Sequence, residues 1–271
     1  MQKEKTILGP MEMKLLAFVQ LKRLDTIRKG EISPFLGISS TQERKLLSRM
    51  SNSGLIIRLK RGVYLVPPRI PPSGRWTPSE YLVLSKLMKV YDGKYQISGP
   101  NAFNYYGYED QIPNRIYVYN NKIYGEKNIG GAEFVFIKTS KNRLGANKTY
   151  KTTENIEITI VSRARALMDA VYDWSRYNTI PRAYKWIIKS FKEEPGIIQE
   201  LLNVTLKYGN KATIRRIGYL IEEQGFALNS LEKLKKKMGS SKSLIPWVPN
   251  RGRKGTINRD WALIINDTIP G

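Results

Sequence analysis

The sequence predicts an α+β protein, an N-terminal winged helix-turn-helix followed by a larger mixed domain with a small sheet and a helical C-terminal half. Three observations predict it. A polar and basic helical stretch follows Leu36-Gly37-Ile38. Two short β-prone runs then flank Lys60-Arg61-Gly62, and beyond a proline-rich stretch a series of strand-like runs precedes several amphipathic helices.

A first helix is expected over residues 12–22, where Met13, Leu16, Ala17, Val19 and Gln20 belong to one amphipathic run, and a second over 31–36, with Leu36-Gly37-Ile38 as the turn. The third starts where Ser40 caps it and Glu43, three residues on, completes a capping box. On a 3.6-residue wheel Leu46, Leu47 and Met50 fall on one side. Thr41, Arg44, Lys45, Ser48 and Arg49 fall on the other, with Gln42 at the border. Ser51-Asn-Ser-Gly54 ends the helix, and runs 55–59 and 63–66 make a hairpin with a basic tip.

In a helix-turn-helix the second helix of the motif enters the major groove and a following hairpin lies along the backbone. Thr41, Gln42, Arg44, Lys45, Ser48 and Arg49 are therefore the expected DNA-reading residues, and Arg58, Lys60 and Arg61 the phosphate contacts. A protein-binding winged module with a merely solvated polar face uses the same elements. Charge favours DNA, since residues 1–70 hold fourteen Lys or Arg against five Asp or Glu.

The 271 residues carry a formal net charge of +23, which suits a polyanionic partner, nucleic acid first. An anionic membrane is the alternative, but no apolar stretch approaches the ~20 residues of a span. The start, Met1-Gln-Lys-Glu-Lys-Thr, lacks a signal-peptide pattern, so a cytoplasmic location is expected. With no Cys and no His, a disulfide framework, a thiolate zinc site, imidazole ligands and the usual general base are all excluded. No cofactor or metal is expected.

Pro67-Pro-Arg-Ile-Pro-Pro-Ser-Gly74 places the domain boundary, giving a winged module over 1–70 and an α+β domain over 77–271. Thr77, Pro78 and Glu80 suit the cap, first position and N3 of a helix carrying Tyr81, Leu84, Ser85 and Met88. Strands are expected at 95–97, 112–119, 132–137, 150–153 and 156–161, with a short helix over 98–107 and a turn at Asn120-Asn121. Tyr105, Tyr106, Tyr108, Tyr117 and Tyr119 suit sheet and core packing, or else base stacking on nucleic acid. Ser162 caps a helix bearing Leu167, Ala170, Val171 and Trp174. Helices follow at 182–191, 196–208 and 213–224, then a Lys-rich segment at 233–237 and a flexible polar stretch at 239–243. A terminal strand at 261–265 is expected to rejoin the domain.

Catalysis finds few parts. Neither a phosphate-binding Gly-x-x-x-x-Gly-Lys-Ser/Thr loop nor Gly-x-Gly-x-x-Gly occurs. Glu133 and Glu157 lie on β-prone runs without the tight Glu-x-Lys spacing of a metal-dependent nuclease. Asp169 and Asp173, one helical turn apart, suit a cation or, more commonly, capping and pairing with Arg. The expectation is a non-enzyme, with a nuclease as the distant alternative.

The chain resembles the AbiEi-type abortive-infection antitoxins, transcriptional regulators of type IV toxin-antitoxin pairs. The resemblance rests on Gly54-Leu-Ile-Ile-Arg-Leu-Lys-Arg-Gly-Val-Tyr-Leu-Val-Pro67, on Ile97-Ser-Gly-Pro-Asn-Ala-Phe-Asn-Tyr-Tyr-Gly107 with Ile112-Pro-Asn-Arg-Ile-Tyr117, on Val161-Ser-Arg-Ala-Arg-Ala-Leu-Met-Asp-Ala170 and on Ile214-Arg-Arg-Ile-Gly-Tyr-Leu-Ile-Glu222, in that order. It implies a winged helix that represses its own operon and a second domain that counters a nucleotidyltransferase-like toxin. Arg163 and Arg165 depart from a more usual Ser-Pro-Glu-Arg helix start, and are either solvated or part of an anion-binding surface.

Fourteen of the +23 charges lie beyond residue 70. Arg215, Arg216, Lys235, Lys236, Lys237, Arg251, Arg253 and Lys254 are the expected antitoxin surface, meeting either the cognate toxin or its RNA target. The expected DNA partner is a double-stranded operator with inverted repeats, bound by a protein that is monomeric in solution and pairs on the half-sites. A stand-alone winged-helix regulator whose second domain senses a ligand or a partner is the alternative.

Overall fold

The structure is a computed structural model that describes residues 8–71, 74–226, 229–240 and 243–268. The expectations for Met1-Gln-Lys-Glu-Lys-Thr, for Pro72-Ser73 and for Ser241-Lys242 of the polar stretch fall outside the described residues.

In chain order the first elements are α1 (Pro10–Leu21), β1 (Thr26–Arg28), α2 (Ser33–Leu36), α3 (Ser40–Asn52), β2 (Ile57–Lys60), β3 (Val63–Leu65) and α4 (Glu80–Val90). Next come β4 (Tyr95–Ile97), α5 (Pro100–Tyr105), β5 (Ile116–Asn120), β6 (Gly125–Ile129), β7 (Ala132–Lys138), β8 (Asn147–Lys151) and β9 (Glu157–Val161). Then follow α6 (Arg163–Tyr172), α7 (Trp174–Tyr177), α8 (Arg182–Glu193), α9 (Ile197–Tyr208), α10 (Lys211–Glu223) and α11 (Asn229–Met238). Three short strands close the chain: β10 (Ile245–Pro246), β11 (Thr256–Asn258) and β12 (Leu263–Ile265). The class is α+β, as expected. Among the described residues no helix is long and apolar enough to cross a membrane.

Two compact units divide the chain. One holds the residues up to Lys94 with Lys122–Ile137 and Lys151–Ile158; the other holds Tyr95–Asn121, Lys138–Tyr150 and the residues from Thr159 on. The division does not fall in the proline-rich stretch, because Ile70, Trp76 and α4 are tied back to the winged module. Ile70 packs on its core, the Trp76 amide donates to the Gly54 carbonyl at 2.9 Å, and Lys86 of α4 pairs with Asp25. Ser79, not Thr77, caps α4 and accepts from the Leu82 amide.

In this first unit α1, α3 and a β1-β3-β2 sheet enclose Leu15, Leu16, Ile27, Leu47, Met50 and Ile56. Of the residues in the amphipathic run of α1, Leu16 and Val19 face the core together with Leu15, while Met13, Ala17 and Gln20 are exposed. Gly37 supplies the helix-turn-helix corner at φ 64, a left-handed position that residues with a Cβ adopt at a cost. β1, unforeseen because it is three residues long, pairs antiparallel with β3 through Ile27 and Tyr64. β6 and β7 form an antiparallel hairpin. β6 also escaped notice, since Gly125-Glu-Lys-Asn128 is polar and exposed.

In the second unit β5, β4, β9 from Thr159 on and β8 up to Tyr150 run in the order β5-β4-β9-β8. β4 is antiparallel to β5 and parallel to β9, with Ile97 opposite Val118 and Ile160. Ser162 caps α6 as expected, its hydroxyl accepting from the Arg165 amide. Every residue from Ala164 to Val171 is buried. α6 is therefore a central helix, enclosed by α5, α8, α9 and α10 rather than amphipathic.

The terminal strand does rejoin this unit, as β12 between β10 and β11. Trp247 and Trp261 anchor it, both fully buried. Trp247 stacks on Tyr184 at 3.9 Å, and Trp261 fills the space over Gly218 of α10, where a Cβ would lie 2.1 Å from its ring. Of the tyrosines, the Tyr106 hydroxyl donates to the Val161 carbonyl at 2.8 Å, Tyr108 stacks on Trp186 and Tyr119 is buried, whereas Tyr105 is exposed and stacks on Tyr150.

Candidate nucleic-acid interface

α3 begins one residue earlier than its composition suggests. Ser39 is the cap: its hydroxyl accepts from the Gln42 amide at 3.2 Å, and its own amide donates to the Gln42 side-chain oxygen at 2.8 Å. The capping box is thus Ser39 with Gln42, not Ser40 with Glu43. Glu43 is freed to turn inward. Fully buried, its carboxylate accepts from the Gly30 amide at 3.0 and 2.9 Å and from the Ile32 amide at 3.1 Å. It fixes the presented helix to the chain that follows β1. Glu43→Ala strands these donors and is expected to cost about 1–3 kcal/mol. A urea midpoint equal to the parent's would show that the carboxylate does not hold this corner.

The outer side of α3 presents Thr41, Arg44, Lys45, Ser48 and Arg49, all exposed. Arg44, Lys45, Ser48 and Arg49 line a shallow open depression with Asn52 and Ser53. Arg44 and Lys45 make no ion pair among the described residues. Arg49 differs, because Glu12 of α1, itself buried, accepts from its Nε at 2.8 Å and its Nη2 at 2.5 Å. Gln42 is engaged in the cap. Asn52 was overlooked because 51–54 has a terminating composition, although it lies one turn beyond Ser48 on the same face.

On the wing, Arg58 and Arg61 are exposed and Gly62 turns the hairpin at φ 74. Lys60 is drawn aside. Its ammonium donates to the Val90 carbonyl at the end of α4 at 3.2 Å and lies 4.6 Å from the centre of the Tyr91 ring. Arg28 and Lys29, absent from the expected set, join the wing tip: both are exposed, and the Lys29 amide donates to the Gly62 carbonyl at 2.9 Å.

Two members of the expected second-unit surface are corrected. Arg215 and Arg216 are 3% and 4% exposed. Arg215 donates to the Ser243 carbonyl at 3.0 Å, and Arg216 to the carbonyls of Pro246 and Trp247 at 3.0 and 3.3 Å. α10 is covered by α6, α9 and α11, so these guanidiniums satisfy carbonyls inside the fold. Lys235 is half-buried and pairs with Glu222 at 2.9 Å, Lys237 donates to the Leu206 carbonyl, and Arg251 pairs with Asp267 at 2.5 Å. Arg253, which donates to the Leu244 carbonyl, is exposed, as are Lys236 and Lys254.

Arg165 is not solvated, and Arg163, a quarter exposed, is taken up by partners of its own. Arg163 donates to the Tyr108 hydroxyl at 2.8 Å and pairs with Glu193 and Glu194, while Arg165 is fully buried beside Asp169. Asp169 pairs with Arg165 and Arg143, and Asp173 accepts from the Tyr119 hydroxyl. Glu133 and Glu157 are exposed on β7 and β9. Among the described residues no group of three or more acidic side chains is placed to hold a metal.

The fold is similar to that of the crystal structure of the RV2827C protein from Mycobacterium tuberculosis, with a TM-score of 0.57, 12% identity, 95% of this chain and 92% of that chain covered. No curated protein matches the sequence. Residues 13–67, the helices, turn and wing just described, match the family model "Transcriptional regulator, AbiEi antitoxin", the family that the sequence resembles.

Proposed function

We propose that the chain is a DNA-binding autorepressor and the antitoxin of a type IV toxin-antitoxin pair. The winged module reads a double-stranded operator with Thr41, Arg44, Lys45 and Ser48 of α3, and Arg58 and Arg61 hold phosphate from the wing. The observation that carries this is the outer face of α3, which keeps Arg44 and Lys45 exposed and uncompensated on the helix after the Gly37 turn. Lys60 serves the wing as an anchor to α4, so Lys60→Ala weakens binding less than Arg61→Ala. A single winged helix reads only a few base pairs, and the monomer pairs on inverted half-sites.

The second unit counters a nucleotidyltransferase-like toxin, through contact with the toxin or with its RNA target. Of the eight cations expected on its surface, Lys236, Arg253 and Lys254 stay exposed without an ion pair among the described residues, with Lys237 exposed beside the Leu206 carbonyl and Arg251 beside Asp267. Full-length protein titrated against its own promoter fragment is expected to shift the fragment without cutting it. Cleavage would favour a nuclease, and no shift at low salt would remove the DNA reading. Co-expression with a nucleotidyltransferase-like toxin from the adjacent reading frame is expected to restore growth, and charge reversal at Lys236 and Lys254 to reduce the rescue. Rescue unchanged by that reversal would separate antitoxin action from this surface.

A further inference from the structure

The N-terminal unit contains a cleft of about 400 Å³ between the end of α1, β3 and α4, a size typical of small-molecule sites. Val19, Leu24, Leu65, Val66 and Leu82 give it an apolar lining, and Arg23 and Lys86 stand among its polar groups. Lys86 is already answered by Asp25. Partial burial pushes the Asp25 carboxyl up, but Lys86, with Thr26 and Lys89, outweighs this and holds it below its ordinary value. Arg23 is exposed and has no acidic partner among the described residues.

Arg23 also stands where glycine is usual. Its φ is 51, and the bonds from its amide to the Gln20 carbonyl and from the Leu24 amide to the Val19 carbonyl close α1 in a Schellman motif. A side chain kept at such a strained position beside an apolar cleft suggests a ligand clamp. A free guanidinium fork next to an apolar floor suits a carboxylate with a hydrocarbon body.

We propose that this cleft is an effector site for a small amphipathic carboxylate, whose charged end meets Arg23 and whose apolar body lies along β3 and α4. α4 forms one wall through Leu82, and its far end receives Lys60 from the wing. Occupancy therefore sets α4 against β3 and is read at the wing. The effector role rests on the DNA-binding reading, whereas the site rests on the cleft alone.

The full chain, loaded with 8-anilinonaphthalene-1-sulfonate as a fluorescent probe, is to be titrated with decanoate and, separately, with decylamine. Decanoate is expected to displace the probe saturably and decylamine is not. Arg23→Gly relieves the backbone and should fold as the parent does, yet bind decanoate about tenfold more weakly, and Arg23→Lys should recover part of the loss. No saturable displacement, equal displacement by decylamine, or undiminished binding by Arg23→Gly would each overturn the site. Saturating decanoate should then change promoter-duplex affinity by about fivefold in the parent and leave Arg23→Gly unaffected. An unchanged parent affinity overturns the effector role. A chain that binds no duplex overturns the functional reading and the effector role together, while the displacement result still decides the site.

Discussion

Asp169→Ala is expected to cost about 3–5 kcal/mol, the loss that follows when a buried ion network is deprived of one partner. Asp169 is fully buried. One carboxylate oxygen accepts from Arg143 at 2.7 Å and from Arg165 at 3.0 Å, and the other accepts from the Ser98 hydroxyl at 3.0 Å. Arg165 spends its remaining donors on the carbonyls of Gly145 and Arg143 and lies over the Tyr208 ring. Burial, with Arg143 nearby, holds the Arg165 guanidinium below its ordinary value. Burial also pulls Arg143 down, but the Asp169 carboxylate more than offsets this and leaves it raised. Alanine would leave two guanidiniums facing each other away from water. Since domains are stable by only about 5–15 kcal/mol, much of the second unit's stability should go, seen as an early urea transition in circular dichroism. Asp169→Asn keeps the shape and should fall between the two. An alanine variant with the parent's midpoint would show that the network is dispensable.

What was legible in the sequence was what depends on local periodicity. Leu46, Leu47 and Met50 are buried and Arg44, Lys45 and Ser48 exposed, because a single helix packed on one side obeys its own wheel. The cap slipped by one residue because Ser39 with Gln42 and Ser40 with Glu43 fit the pattern equally. What decides between them is distant: the amides of Gly30 and Ile32 need the Glu43 carboxylate. The same limit explains the arginines of the second unit. Ser98 and Asp169 lie in separate segments whose meeting no spacing reveals. Arg165, Arg215 and Arg216 looked like surface because arginine is rarely buried. Their partners are supplied by Asp169, by the loop at 143–145 and by the chain at 243–247, all brought together only by the fold. β1 and β6 were too short or too polar to alternate visibly.

The largest loss of DNA affinity is expected from Arg44→Ala combined with Lys45→Ala. Both side chains are exposed on the outer face of α3 and neither has an ion pair among the described residues, so nothing inside the fold depends on them. Removing a base-reading arginine should cost about 1–3 kcal/mol and relax preference at one operator position, whereas Arg61→Ala should weaken every duplex alike and reduce the salt slope by about 1. Arg49→Ala supplies the contrast. It leaves the buried Glu12 carboxylate without its partner, so it should lower thermal stability as well as affinity, while the Arg44 and Lys45 variants should melt with the parent. Titrations of each variant against operator and scrambled duplex at two salt concentrations, alongside melting curves, distinguish these outcomes. If the double variant bound the operator as tightly as the parent, the reading face of α3 would be assigned wrongly; if Arg49→Ala lost affinity without losing stability, Arg49 would read DNA directly and its bond to Glu12 would break on binding.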